Sequence, residues 1–226
     1  MDLVALFSGG KDSTLAIIRA IEMGHNIKYL ATIHSLNPES YMWHTPNIGL
    51  TVIQSKCMEI PLISKESMGE KEKEIEDLKS LLKGIDVEGV VCGAIASKYQ
   101  KKRVEKVCKE LKLKILAPLW KNDQKKLLEE IIKRKFEVII TAVSAEGFDE
   151  SWLGRKIDEN CVKELLELEK KFGINLAFEG GEAETTVLDC PLFKKKIRIK
   201  NFEKRWEGDR GFLEIKDVEL VKKSHT

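Results

Sequence analysis

Ser8-Gly9-Gly10-Lys11-Asp12-Ser13 places two hydroxyls, an ammonium, a carboxylate and a glycine pair in one short stretch. The apolar run Leu3-Val4-Ala5-Leu6-Phe7 precedes it and reads as a strand buried on both faces. Thr14 to Ile21 follows and reads as a helix. Glycines between strand and helix let the backbone approach a bulky anion. The N–H groups at the helix start, with the helix dipole behind them, face that anion. The chemistry this suits is a pyrophosphate cradle, with Asp12 placed for the magnesium that travels with a nucleotide. The bland alternative is a Gly-Gly turn that only reverses the chain.

Two familiar phosphate loops do not fit. A P-loop needs glycine where Ala5 stands and Ser or Thr where Asp12 stands. A Rossmann fingerprint needs spaced glycines, and Gly9 and Gly10 are adjacent.

A second segment, Glu179-Gly180-Gly181-Glu182-Ala183-Glu184-Thr185-Thr186-Val187-Leu188-Asp189-Cys190-Pro191-Leu192-Phe193, is unusual by composition. Carboxylates this close repel one another, which a solvated loop tolerates and a cation relieves better. Magnesium, ammonium or a basic substrate would serve. Cys190 before Pro191 reads more readily as a packed small residue than as a nucleophile.

The elements that must position these residues alternate along the first two-thirds of the chain. Strands are expected at 27–33, 61–63, 87–92, 115–116 and 136–143. Helices are expected at 48–59, 70–83, 98–111 and 125–135, the second with Ile75, Leu78, Leu81 and Leu82 on its apolar face. Residues 37–47 read as a polar loop containing Trp43 and His44. This rhythm predicts a doubly wound, mostly parallel α/β sheet, with ligand beyond the carboxyl ends of its strands. Gly93 to Ser97 ends one of those strands and is expected beside the glycine pair, and His34 and Ser35 end another. After Val143 the rhythm changes to a long helix, 157–172, and short alternating stretches at 197–200 and 212–215. The expected division is a nucleotide-binding domain over 1–143 and a smaller α+β substrate subdomain over 144–226.

The 226 residues are 42% hydrophobic and 34% charged with a formal net charge of +2, which suits one large domain or a domain with an appendage. No apolar run is long enough to span a bilayer, and the start lacks a basic, then apolar, leader. Five cysteines without a C-x-x-C pair suggest reduced thiols and a cytoplasmic setting. The basic clusters Lys194-Lys195-Lys196 with Arg198 and Lys200, and Lys101-Lys102-Arg103, read as solvated faces rather than nucleic-acid sites.

The loop at 8–13 resembles that of the N-type ATP pyrophosphatases, which include argininosuccinate, GMP and asparagine synthetases and several tRNA-modifying enzymes. The acidic segment at 179–193 narrows the resemblance to the diphthine–ammonia ligase family. Ser40 to Pro46, Gly93, Tyr99-Gln100, Arg103-Val104-Glu105, Cys108, Pro118-Leu119-Trp120 and Leu153-Gly154 match further blocks of that family. Ala183 departs from it, standing where many relatives carry an aromatic residue.

The resemblance implies an adenine nucleotide α-hydrolase-like fold and an AMP-forming amide ligase. Its acceptor would be the diphthine carboxylate of translation elongation factor 2, its nitrogen donor ammonium, and its cofactors ATP and Mg2+. It implies phosphate binding by Ser8, Gly9, Gly10, Lys11 and Ser13, magnesium at Asp12, and adenine near Ile33 with Gly93 beside the nucleotide. Arg103 would steady the α-phosphate, and Glu182 and Glu184 would bind ammonium and take its proton, with Thr185 and Asp189 as lesser candidates. The rivals are a tRNA-modifying pyrophosphatase and a nucleotide sensor that does no chemistry. The expected partners are the elongation factor and ammonium, with no membrane and with a homodimer left open.

Overall fold

A computed structural model describes residues 1–35, 47–68 and 73–223. The chain divides into two compact units: Met1–Ser8 with Asp12–Lys121, and Gly9–Lys11 with Asn122–Thr226.

The first unit carries β1 (Asp2–Leu6), α1 (Lys11–Glu22), β2 (Asn26–Ser35), a 3-10 turn (Ile48–Leu50) and α2 (Thr51–Met58). It continues with β3 (Leu62–Ser67), α3 (Lys73–Leu82), β4 (Gly89–Val91), α4 (Lys98–Glu110) and β5 (Lys114–Leu116). All its strand pairs are parallel, in the order β3-β2-β1-β4-β5. Leu3, Val4 and Ala5 are fully buried, as a central strand covered on both faces requires. Ile75, Leu78 and Leu82 of α3 and Val104, Val107 and Cys108 of α4 pack with Val4, Ala31 and Val90 in one core cluster. The helical spacing of those residues is what presents one apolar stripe to the sheet. Ser97 caps α4, its hydroxyl accepting from the Gln100 N–H at 3.4 Å.

The second unit carries α5 (Gln124–Lys133), β6 (Glu137–Val143), a 3-10 turn (Glu150–Trp152), α6 (Glu159–Phe172), β7 (Ala183–Asp189), β8 (Lys195–Glu207) and β9 (Arg210–Lys222). Its sheet is antiparallel, ordered β7-β6-β9-β8. Asp123 caps α5 and Asp158 caps α6, accepting from the Lys126 and Cys161 N–H groups at 2.9 and 2.8 Å.

The structure differs from the expected order in three places. The strand at 136–143 does not extend the parallel sheet: β6 runs antiparallel to β7 and β9. The compact units accordingly divide between Lys121 and Asn122, with α5 and β6 on the second side, rather than after Val143. The acidic segment is also more than a loop, because Ala183–Asp189 forms β7 beside β6. Thr185, Thr186, Val187 and Leu188 are buried there, and β-branched residues suit a pleated, packed surface. The tight apolar edge of β6 gives them a partner that sequence order does not announce.

Candidate active site

In an open parallel sheet the strand order reverses on either side of the first strand, and the crevice at that switch receives the ligand. Here the switch lies between β1 and β4. The turn after β1 is Ser8 to Ser13 and the turn after β4 is Gly93 to Ser97, so both reach the same end of the sheet. Their proximity is direct: a Cβ added to Gly93 would lie 3.0 Å from both the Cα and the N of Ser13. A side chain at 93 would need the Ser13 backbone to give by a few tenths of an ångström, so the close approach favours glycine there.

Within the turn, Gly9 has φ +80°, the left-handed region that a side chain resists. The Ser8 and Ser13 hydroxyls lie 3.2 Å apart, and the Ser8 N–H donates to Ser13 Oγ at 3.4 Å. The two expected hydroxyl ligands therefore converge on one point. Asp12 sits in the first turn of α1, half-buried.

Gly9 to Lys11 are bound to β7 by hydrogen bonds. The Val187 N–H donates to Gly9 O at 2.9 Å, and the Lys11 N–H donates to Thr185 Oγ1 at 3.2 Å. Lys11 is only 3% exposed. Its Nζ donates to Ala177 O at 2.8 Å and lies 4.8 Å from the centre of the Phe178 ring. That ring's electron-rich face suits an ammonium. Phe178 itself is held at φ +65°, a costly conformation for a bulky residue, which places its carbonyl neighbour and its ring on the same cation. Neither Ala177 nor Phe178 is singled out by the sequence. The Asx turn at Asn175, whose Oδ1 accepts from the Ala177 N–H at 3.0 Å, is the local signal that was available.

The two glutamates differ in use. Glu182 turns back on its own loop: Oε1 accepts from the Asn175 N–H at 3.0 Å and Oε2 from the Gly180 N–H at 2.9 Å. The loop is further closed by Ser144, whose N–H donates to Glu182 O at 2.9 Å and whose hydroxyl donates to Gly181 O at 2.5 Å. Glu184 stands on β7 in register with Ala142, half-buried. The repulsion expected of adjacent acids is thus removed by binding one of them to backbone donors.

In the first unit, Arg103 lies on α4 with its guanidinium stacked 3.8 Å from the centre of the Tyr99 ring. Its neighbour Lys101 covers Trp120 at 4.2 Å and pairs with Glu105 at 3.2 Å, so that basic cluster is a packed and solvated helix face. Ile33 is 3% exposed within the core cluster, and only its backbone is suited to a base. Trp43, His44 and the block at Ser40 to Pro46 lie outside the described residues. Cys190 is buried and burial pushes its thiol up to about 12, which leaves it inert as a nucleophile.

A parallel sheet of this order, with Ser-Gly-Gly-Lys-Asp-Ser following its central strand, defines a nucleotide-binding type of α/β domain. The model of the diphthamide synthase N-terminal domain matches residues 1–115, and that of the diphthamide synthase C-terminal domain matches residues 123–221. Diphthine–ammonia ligases of Bos taurus and Rattus norvegicus are 39% and 41% identical over 226 residues, covering 90% of this chain and 84% of each relative. The Homo sapiens ligase is 39% identical with the same coverage. A solved chain from Methanocaldococcus jannaschii, titled a predicted subunit of tRNA methyltransferase, matches at a TM-score of 0.47 and 17% identity over 84% of this chain and 98% of its own, too slight a likeness to build on. The chain belongs to the diphthine–ammonia ligase (diphthamide synthase) family, and is an enzyme of the ligase class. Among the described residues no helix is long and apolar enough to cross a membrane.

Proposed function

We propose that the chain uses ATP and ammonium to convert the diphthine carboxylate of translation elongation factor 2 to an amide, giving diphthamide, AMP and pyrophosphate. The observation that carries this reading is the Ser8–Ser13 turn at the β1/β4 switch point, in a chain of this family.

A carboxylate is a poor electrophile, because its oxygen leaves badly. Attack of that oxygen on the α-phosphorus of ATP expels pyrophosphate and makes an acyl-adenylate. Ammonia then attacks the acyl carbon, and AMP leaves with the original carboxylate oxygen. Preorganised donors aimed at the departing charge supply most of such an acceleration.

Gly9, Gly10 and the hydroxyls of Ser8 and Ser13 are assigned to the outer phosphates. Lys11 has three ammonium protons. One is given to Ala177 O, and another is assigned to pyrophosphate. Asp12 is assigned to magnesium. That ion keeps several waters and shares phosphate oxygens, so one carboxylate is sufficient protein anchorage. When bound, it would neutralise charge on the phosphates. Arg103, with five N–H donors beyond its stacking face, is assigned to the α-phosphate. Gly93 lets the nucleotide turn and the β4 turn approach, and the β2 backbone at Ile33 is assigned to adenine. Glu182, held by two N–H donors, shapes its loop. Glu184 is assigned the proton of ammonium, since only free ammonia is nucleophilic.

The test is incubation with ATP, ammonium and diphthine-bearing elongation factor 2. AMP and amidated factor should appear in equal amounts and only together. ADP as the nucleotide product, or AMP without amide, would contradict the reading.

A further inference from the structure

The second unit holds a feature that the proposed chemistry does not use. β9 pairs with β6 only at Phe212–Ala142 and Gly211–Val143. The far end of the β8–β9 hairpin therefore runs on without β6. A cavity of about 680 Å³ opens there, within the roughly 300–1,000 Å³ range of ligand pockets. It borders Asp189, at the opposite end of β7 from the Glu182 loop and about 13 Å along that strand from Thr185.

Its wall is strongly basic. Arg134, Lys135, Lys196, Arg198, Lys222 and Lys223 line it, against Glu137 and Asp189 alone among acids. Four of those six cations are used internally, Arg134 by Glu130 and Arg198 by Glu219, each at 2.8 Å, and two lysines as follows. Lys223 donates to Cys190 O at 2.8 Å and Phe193 O at 3.0 Å and pairs with Asp189, while Lys196 pairs with Glu137. Lys135 and Lys222 are exposed, and among the described residues no acid is paired with either. Moreover, Lys222 stands opposite Lys195 in the β8–β9 ladder. Like charges facing one another across a ladder are destabilising. A bound anion would relieve that repulsion.

The floor between these cations is aliphatic, with Ile197, Ile199 and Val221, and the lining has no aromatic side chain. Single-stranded nucleic acid is held by basic grooves that also offer aromatic stacking platforms. A cavity with cations and aliphatic side chains suits an extended peptide carrying acidic and apolar residues. β8 contributes four successive residues, Lys196 to Ile199, to the wall. Because successive side chains alternate faces, the cavity must follow that strand's edge. β8 is the edge strand of its sheet among the described residues.

We propose that this cavity docks an acidic, extended segment of the protein substrate, away from the reacting carboxylate. This rests on the reading that the substrate is a protein. Such a site would raise encounter rate and hold the substrate by salt-sensitive contacts, leaving the chemical step to other residues.

The test compares the wild type with Lys135→Glu/Lys222→Glu, whose two changes are on exposed side chains. Circular dichroism and thermal midpoint verify the fold, and Lys135→Gln/Lys222→Gln provides a milder second variant. The reversal variant should raise KM for the elongation factor about ten-fold while kcat and KM for ATP stay put, with the neutral variant between. An unchanged KM for the factor overturns the docking site. A second readout needs no turnover: fluorescence anisotropy with a labelled oligoglutamate and with an oligouridine of equal charge. Oligoglutamate should bind the wild type in a salt-dependent way and the reversal variant about ten-fold more weakly. Equal binding by both proteins, or a loss confined to oligouridine, overturns the proposal. If the wild type leaves the factor unmodified yet oligoglutamate shows the expected difference, the function reading fails and the acidic-peptide site stands.

Discussion

Glu182 and Glu184 show how much one residue's surroundings decide. Their spacing suggested a shared task, but the Glu182 carboxylate is bound to two backbone N–H groups of its own loop. Glu182→Ala should destabilise the fold by about 1–2 kcal/mol, the worth of charge-assisted hydrogen bonds in a half-buried place, read by chemical denaturation. Glu184→Gln should leave the denaturation midpoint within error and slow amidation. The reverse pattern, with Glu182 affecting only rate, would return the base to Glu182. Asp12→Ala should cut AMP formation by at least about a hundred-fold with the thermal midpoint unchanged, since it removes an anchoring charge from the phosphate site. Normal turnover by that variant would remove the turn from the mechanism.

At the scale of elements, close approach of two turns is the critical geometry. Gly93→Ala would press a methyl group against the Ser13 backbone. It should raise KM for ATP and cost about 1–3 kcal/mol of stability, measurable by steady-state kinetics and denaturation together. The strand–turn–helix around Ser8 to Ser13 was legible in sequence because everything it needs is local: strand, glycines and helix lie within a few residues. β6 was not. A continuous apolar run such as Val138 to Ala142 identifies a buried strand, but its partner is chosen by non-local pairing. β7 was hidden for the opposite reason. Glycines and acids before Thr185 indicated a loop, and only the neighbour β6 makes a strand of the residues that follow. The sequence points to Lys11 as an expected phosphate ligand, whereas its contacts with Ala177 and Phe178 depend on residues far along the chain.

Across the whole molecule, the five cysteines are buried. Burial is the main cause that pushes Cys108 and Cys190 up to about 12 and Cys161 up to about 11, from an ordinary value of 9.0. Unfolding would return each to the ordinary value. Above pH 9 the unfolded chain then holds fewer thiol protons than the folded one, so stability falls as pH rises and is unaffected by these groups below it. The denaturation midpoint should therefore drop between about pH 9 and about pH 12. Substituting alanine at all three should flatten part of that drop; an equal drop would assign it to other groups. The same burial predicts that a thiol reagent near neutral pH labels the native chain far more slowly than the unfolded one. The surface shows a further division of labour, with acids concentrated in the Glu179–Glu184 loop and cations around the cavity at the other end of β7.

In the proposed reaction, bond breaking falls between the α- and β-phosphates as a carboxylate oxygen joins the α-phosphorus. Elongation factor 2 carrying heavy oxygen in its diphthine carboxylate tests it most directly. With unlabelled ATP and ammonium, mass spectrometry of the nucleotide should find one heavy oxygen in each AMP released. Unlabelled AMP, or heavy oxygen in inorganic phosphate alongside ADP, would contradict the account.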